Sequence, residues 1–242
     1  RDDDHLAILE TAGYTTTGIW FYGPLKDDAN LRFAIAHAID RDKLVQIACN
    51  GEAEVSNDLI AAKTLGSLAG TVPMPGYDVE KAREYLAASN YKEGDVLTVY
   101  DKTADAQCIM EDLKAIGITV EIEQMDMNSF YQATSNGNMG MCIQSVGAEN
   151  ATTAGLLLNF SSDRGENYVV TRECDDLIAQ FSMELDPAKR DALYKQVLEL
   201  QASYCNIAPL YEANGSICYR KGIEGLTEFS AVASYLYPEL LK

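Results

Sequence analysis

The sequence predicts an α/β fold in which a mixed sheet is flanked by helices. Residues 96–146 alternate short β-type runs with helical periods, in the order strand, helix, strand, helix, strand. Strands that alternate with helices are joined by crossovers, and these connections make neighbouring strands parallel. The chain has 242 residues, of which 47% are hydrophobic, so it is long enough to bury a sizeable core on this plan.

The first predicted strand covers residues 15–22, which read TTTGIWFY. β-Branched and aromatic residues favour strands, and the pair Gly23-Pro24 predicts the end of this one. Residues 1–13 carry no clear periodicity and receive no assignment.

A long amphipathic helix is predicted at residues 31–51. Its apolar residues recur at spacings of three and four, which places them on one stripe that faces a core. We expect Asn30 to cap its N-terminus and Gly51 to end it. Residues 50–77 then form a long connection, which we expect to be packed over a surface or to be functional.

The remaining elements follow from periodicity, capping residues and turn residues. We expect helices after Asp78, from Thr103 to Ile116, from Asp126, at 154–159, at 173–184 and from Pro187, and strands at 96–100, 118–125, 140–146, 208–212, 216–219 and 234–237.

Composition excludes several classes of function. The net charge of −18 argues against nucleic acid as a partner, because phosphates require a basic face. The longest apolar runs are too short to span a bilayer. The six cysteines form no C-x-x-C motif, so we expect small buried thiols, and spacing alone leaves disulfides open.

No catalytic motif is present in the sequence. It contains no G-x-S-x-G, P-loop or H-E-x-x-H pattern, and its only histidines, His5 and His37, are isolated. We therefore predict a protein that is not an enzyme, with no catalytic residues, no metal site and no cofactor.

The loop at residues 146–150 is the strongest candidate binding segment that the residues themselves indicate. It follows a predicted strand, and ligands in α/β sheets collect at the carboxyl ends of strands. Gly147 allows close approach of a ligand. Glu149 faces an ammonium or hydroxyl group on this hypothesis; the alternative is a solvated loop acid.

Five stretches, in collinear order, resemble the C-terminal half of the family 5 extracellular solute-binding proteins, the peptide-binding receptors of ABC importers. The most specific is LRFAIAHAIDRDKLV, in which Asp28, Arg32 and the run Ala38-Ile39-Asp40-Arg41 match the family signature. The other four are YDVEKAREYLAASNYKEG, IGITVEIEQMDMNSFYQAT, LDPAKRDALYKQVLELQASYCNIAPLYEA and YRKGIEGL.

The resemblance implies one lobe of a type II periplasmic-binding-protein fold. Residues 27–212 would form the distal ligand-binding lobe, while residues 1–26 and 213–242 would run back into a second lobe. The protein would be extracytoplasmic, either periplasmic or lipid-anchored at the cell surface, and would serve an ABC permease. Exposed edges of such a fragment could pair with another copy.

The resemblance also implies a peptide ligand that pairs with a strand of this lobe and places its α-ammonium on an acid. On this basis the predicted ligand-binding residues are Ser145, Val146, Gly147, Ala148, Glu149 and Asn150. Three features depart from the family. Glu149 stands where the family has an aspartate. Val146 stands where an aromatic residue is usual, and no proline follows soon after Glu149.

The alternative within the family is a receptor for an oligosaccharide or another small solute. Aromatic residues facing the cleft would favour a sugar, and the candidates are Trp20, Tyr77 and Tyr168. We expect Asp40 and Arg41 to be structural, tying their helix to a neighbouring strand or loop through charge-assisted hydrogen bonds.

Overall fold

The computed structural model describes residues 4–100, 104–136, 139–147, 157, 160–162 and 172–226. The strands are β1 (Leu6–Phe21), β2 (Ala53–Val55), β3 (Val96–Tyr100), β4 (Thr119–Glu123), β5 (Met141–Gly147) and β6 (Ile207–Arg220). The helices are α1 (Ala29–Ala38), α2 (Arg41–Ala48), α3 (Val79–Ala87), α4 (Ala104–Ala115), α5 (Met127–Ser135), α6 (Arg172–Met183) and α7 (Pro187–Tyr204).

The strands form one mixed six-stranded sheet in the order β2-β6-β1-β5-β3-β4. β3 pairs in parallel with both β4 and β5, whereas β1 pairs antiparallel with β5 and β6. The predicted α/β class and the parallel pairs are confirmed. The two long antiparallel strands, β6 and β1, are neighbours in this order.

Apolar side chains bury both faces of the sheet. One cluster joins Ile19 and Phe21 of β1 to apolar residues of α1, α2, α3 and α4. The other joins Trp20 and Tyr22 to residues of α6 and α7. Because neighbouring residues of β1 point to opposite faces, this one strand contributes to both cores.

The long connection packs over the second face, as predicted. Its apolar residues Leu59, Ile60, Val72 and Met74 are buried in the second cluster. The carboxylate of Glu212 on β6 accepts hydrogen bonds from the amide of Ala62 and the hydroxyl of Ser56, which fastens the connection to the sheet.

The prediction of a single helix over residues 31–51 is wrong. Ile39 and Asp40 adopt extended backbone angles and separate α1 from α2. The side chain of Asp40 accepts a hydrogen bond from the amide of Lys43, so it caps α2. The guanidinium group of Arg41 binds the carbonyl oxygen of Ile39, which satisfies a terminal group of α1. The apolar residues keep their helical spacing across Ile39 and Asp40, so the sequence pattern does not indicate the break.

The predicted N-cap at Asn30 is also wrong. Asp28 caps α1, because its Oδ1 accepts a 3.0 Å hydrogen bond from the amide of Leu31. The side-chain amide of Asn30 instead donates to the carbonyl oxygen of Ala88, just beyond α3.

At its other end α2 finishes three residues before Gly51. Asn50 and Gly51 both have positive φ angles, +52° and +74°. The amide of Gly51 donates to the carbonyl oxygen of Val45, so the glycine takes part in the termination after the helix itself has ended.

Two strands are longer than predicted. β1 begins at Leu6, and β6 is one strand where two were expected at 208–212 and 216–219. Residues 6–11 pair with 215–220 as a two-stranded ribbon that extends from the sheet. The register of this ladder shifts between Thr11 and Thr15 and again between Thr17 and Gly18.

The other described elements agree closely with prediction. β3, α3, α4, β4, α5, β5, α6 and α7 all lie at the expected positions, with ends that differ by a few residues at most. The side chains of Asp78, Asp126 and Asp186 accept hydrogen bonds from amides of the helices that they precede. The predicted helix at 154–159, apart from Leu157, and the strand at 234–237 lie outside the described residues.

Candidate functional site

β5 extends well beyond its parallel neighbour. β3 pairs with β5 only through Val99 with Met141 and Tyr100 with Cys142. Residues 143–147 pair with β1 on one side, and no described strand pairs with their other side. We call this segment the β5 overhang; it is roughly 13 Å long at the usual rise of a strand. Because no strand among the described residues pairs with that side, we call it the open side; main-chain amide and carbonyl groups lie along it at the carboxyl end of the strand.

The structure places three of the predicted site residues on the overhang. Ser145, Val146 and Gly147 pair with Thr17, Thr16 and Thr15 of β1, respectively. Ser145 is exposed, and its hydroxyl lies 2.9 Å from that of the buried Thr17. The other three predicted residues, Ala148, Glu149 and Asn150, lie outside the described residues.

A row of polar groups continues from Ser145 across the sheet. Thr17 lies opposite Tyr211 in the β1–β6 ladder. The phenol of Tyr211 donates a 3.0 Å hydrogen bond to Oδ2 of Asp105 in the first turn of α4. Burial is the main cause that raises the pKa of Tyr211, and the nearby Asp105 carboxylate raises it further. The phenol is therefore neutral throughout the physiological range.

On the opposite face, Glu212 lies across from Thr16 on β1 and from Glu54 on β2. Burial raises the pKa of Glu212, while its hydrogen bonds from Ala62 and Ser56 partly offset that shift. Two buried acids thus lie beside β6: Asp105 bonds to Tyr211 on one face, and Glu212 lies on the other. β1 separates β6 from the strand that carries the predicted site.

Sequence reasoning missed Thr17, Tyr211, Asp105 and Glu212 as neighbours of the site. Their proximity depends on the register between strands that are distant in sequence. The only available signal was a polar residue within an otherwise buried strand, since Glu212 directly follows the apolar run from Ile207.

A groove of about 580 Å³ lies elsewhere, beside the amino-terminal part of β3. Several of its polar groups have partners within the protein. Asp28 accepts from the amides of Leu31 and Asn90, and the Tyr91 phenol donates to the carbonyl oxygen of Asp95. No described residue of the β5 overhang lines this groove, so it is separate from the candidate site.

Within the described residues, no three His, Cys, Asp or Glu side chains lie close enough together to hold a metal ion. All six cysteines are among these residues, and all are free thiols. Four are buried, as predicted, while Cys49 is half-buried and Cys218 is exposed.

The aromatic candidates for sugar stacking occupy different environments. Trp20 is buried in the core and has no free ring face for a ligand, whereas Tyr77 is half-exposed. Tyr168 lies outside the described residues.

Asp40 and Arg41 have the structural role that was predicted. Arg41 is buried and donates to the carbonyl oxygens of Pro209 on β6 and Pro75 in the long connection, at 2.8 and 2.9 Å. Arg32 has a similar role, since it donates to carbonyl oxygens that include those of Leu25 and Tyr204.

Comparison of the sequence with known protein families identifies the family of this chain. The profile described as "Bacterial extracellular solute-binding proteins, family 5 Middle" matches residues 3–168. The chain belongs to this family. Among curated proteins it is similar to "Di/tripeptide-binding protein 2" of Pseudomonas aeruginosa (strain UCBPP-PA14), with 26% identity over 245 aligned residues, 93% of this chain and 45% of that protein.

Solved structures share the fold of this chain. The periplasmic binding protein DppA from Helicobacter pylori, in complex with the peptide STSA, has a TM-score of 0.83 at 20% identity, over 93% of this chain and 47% of that one. The binding protein AgaA from A. tumefacien R10, in complex with agropinic acid, has a TM-score of 0.83 at 21% identity, over 99% and 52%. This chain thus spans about half the length of the relatives that it matches.

None of the described helices has both the length and the apolar character that a membrane crossing requires.

Proposed function

We propose that this chain is the distal ligand-binding lobe of a substrate-binding component of an ABC importer. In this proposal a peptide binds between this lobe and a second one, without chemistry, and is delivered to a membrane permease. The protein is extracytoplasmic, either periplasmic or anchored by lipid. Residues 1–26 and 213–242, which include the two strands of the β1–β6 ribbon, lead to the second lobe.

The observation that carries the proposal is the open side of the β5 overhang. A peptide in extended conformation adds to such an edge as a further strand, because its main chain supplies matching donors and acceptors. The overhang is roughly 13 Å long, which suits a peptide of a few residues. Main-chain pairing requires no particular side chain, so it is compatible with Val146 at the position where relatives carry an aromatic residue.

Glu149 is the second residue after the overhang and is proposed to bind the α-ammonium of the peptide. Ala148 and Asn150 complete the proposed site. The longer side chain of Glu149, relative to the aspartate of the family pattern, suits a ligand whose amine lies further from the strand.

Calorimetry on the two-lobed protein tests the proposal. The probes are alanyl-phenylalanine, its N-acetylated form and a panel of oligosaccharides. We expect the free dipeptide to bind, and N-acetylation and Glu149→Gln each to weaken binding at least tenfold, since each removes one partner of a charge-assisted bond. Glu121→Gln, an exposed acid on β4, is the matched control and leaves the affinity unchanged.

Two outcomes contradict the proposal. Dipeptide affinity that is unaffected by Glu149→Gln refutes the role of that residue. Binding of an oligosaccharide in the absence of any peptide binding refutes the peptide and favours the alternative ligand class. The isolated chain is expected to bind weakly or not at all, because half of the contacts are absent.

Self-association of the isolated chain through exposed strand edges is a separate proposal. Sedimentation velocity at several concentrations tests it, and a species of constant monomeric mass contradicts it.

A further inference from the structure

A chain of hydroxyl groups connects the β5 overhang to a buried carboxylate. Ser145 and Thr17 are cross-strand neighbours, and so are Thr17 and Tyr211. The Ser145 and Thr17 hydroxyls are 2.9 Å apart, and the Tyr211 phenol lies 3.0 Å from Oδ2 of Asp105. Thr17, Tyr211 and Asp105 are all at least nine-tenths buried, whereas Ser145 is exposed. We call this set the hydroxyl chain.

The carboxylate at the buried end of the hydroxyl chain determines which group donates in each of its hydrogen bonds. Asp105 lies in the first turn of α4, where the helix dipole favours the carboxylate form. A carboxylate only accepts hydrogen bonds, so the single proton of the Tyr211 phenol is directed to it. The Cys49 thiol also faces the phenol, and it is a weaker acceptor than a carboxylate.

The donor in each of the remaining hydrogen bonds, from Tyr211 to Thr17 and on to Ser145, follows from this first one. The Tyr211 phenol uses its single proton in the hydrogen bond to Asp105, so it can only accept from Thr17. The Thr17 hydroxyl is the donor that faces it. Thr17 has one proton, so it cannot also donate to Ser145. The proton in the Ser145–Thr17 bond is therefore that of Ser145.

We infer that Ser145 presents only lone pairs to a ligand, and that it selects a hydrogen-bond donor, such as a peptide N–H, over an acceptor. Thr17 and Tyr211 act as positioning residues, since they orient Ser145 without touching the ligand. This inference rests on the proposed function, because Ser145 meets a ligand only if the overhang is the ligand strand.

Neutron diffraction from deuterium-exchanged crystals of the chain tests the direction without any ligand. We expect deuterium on Ser145 to point towards Thr17, that on Thr17 towards Tyr211, and that on Tyr211 towards Asp105. Deuterium on Thr17 that points towards Ser145 overturns the inference. This result is independent of whether the protein binds peptides, so failure of the proposed function is recognised separately.

The selectivity for a donor is tested by calorimetry on the two-lobed protein with alanyl-phenylalanine and its ester analogue, in which an oxygen replaces the amide N–H. We expect the wild type to prefer the amide by about tenfold. Ser145→Ala removes the acceptor, and Tyr211→Phe frees the Thr17 proton for Ser145, so both variants lose most of this preference.

Tyr85→Phe is the matched control, because it removes a phenol on α3 that lies outside the hydroxyl chain. It is expected to keep the preference of the wild type. An unchanged preference for the amide in both Ser145→Ala and Tyr211→Phe overturns the inference. Since Ser145 is exposed, Ser145→Ala keeps the test informative if Tyr211→Phe fails to fold.

Discussion

The guanidinium group of Arg41 donates a 2.8 Å hydrogen bond to the carbonyl oxygen of Pro209, and this bond joins the start of α2 to strand β6. The same side chain also binds the carbonyl oxygens of Ala36, Ile39 and Pro75. One buried cation thus connects two helices, a strand and the long connection.

Removal of this cation is expected to destabilise the lobe strongly. Arg41→Met keeps much of the buried volume but leaves several main-chain carbonyl groups without a partner. We expect the free energy of unfolding to fall by about 3 kcal/mol, since each unsatisfied buried group costs roughly 1–3 kcal/mol. Urea denaturation measures the change.

Arg83→Met is the matched control for that experiment. Arg83 lies on α3, and its half-exposed side chain contacts only the exposed Glu80 among the ion pairs of the described residues. Exposed pairs contribute about 0–1 kcal/mol, so a small change is expected. Equal effects of the two substitutions would refute the structural role of Arg41.

Glu212 makes stability depend on pH. Its folded-state pKa is raised above the ordinary value of 4.5, chiefly by burial. The folded state therefore holds the proton more tightly than the unfolded state. The stabilisation from Glu212 is fully present below pH 4.5 and is lost as the pH rises through the raised folded-state pKa.

Glu212→Gln stays neutral throughout this range and still accepts from Ala62 and Ser56. The variant should gain in urea midpoint over the wild type at about pH 7, and this gain should shrink at about pH 4. Glu121→Gln, on the exposed side of β4, is the control and shows no such trend. A gain of the same size at both pH values would contradict the prediction.

Two glycines differ in the space around them. A Cβ on Gly140 would lie 2.7 Å from the carbonyl oxygen of Thr98, whereas a Cβ on Gly76 would meet no atom within 4 Å. Gly140→Ala should therefore lower the free energy of unfolding by about 1–3 kcal/mol, since the backbone must move. Gly76→Ala should be neutral or raise it slightly. Thermal or urea denaturation of the pair decides, and a neutral Gly140→Ala would show that the strand yields easily.

The free cysteines should differ in reactivity. We expect Cys218 to react first with a chromogenic disulfide reagent because it is exposed, and Cys49 to react slowly because burial raises the pKa of its thiol. The four buried thiols should react only after unfolding in denaturant. Cys218→Ser removes the fast phase. Fewer than six reactive thiols in the denatured, unreduced protein would reveal a disulfide.

Local signals predict many of the elements well. β3 is predicted to the residue, because its β-rich run stands between a glycine turn and a helical period. The break between α1 and α2 is not predictable in this way. It depends on Arg41, whose partners Pro75 and Pro209 are 34 and 168 residues away in sequence.

β6 also differs from its prediction because residues distant in sequence decide its structure. Asn214 and Gly215 are typical of turns, so the sequence predicts two strands there. The long partner β1 keeps the chain extended through these residues, as pairing on the ribbon demands. Tertiary pairing overrides local preference at this point.

For the candidate site, the carboxyl end of β5 is predictable because ligands in α/β sheets collect at such ends. The neighbours of Ser145 are not predictable, because Thr17 is 128 residues away in sequence. Tyr211 lies next to Thr17 only because of the register between β1 and β6. Sequence thus predicts the segment but not the hydrogen-bonding surroundings that govern its chemistry.

The β5 overhang also bears on how ligand choice could change within a lineage. The groups on its open side belong to the main chain, so almost no substitution removes them, and proline is the exception because it lacks the amide hydrogen. Proteins with dissimilar side chains at these positions would therefore retain the same capacity to pair with an extended ligand. Ligand preference can then diverge through flanking side chains while the attachment itself is inherited unchanged.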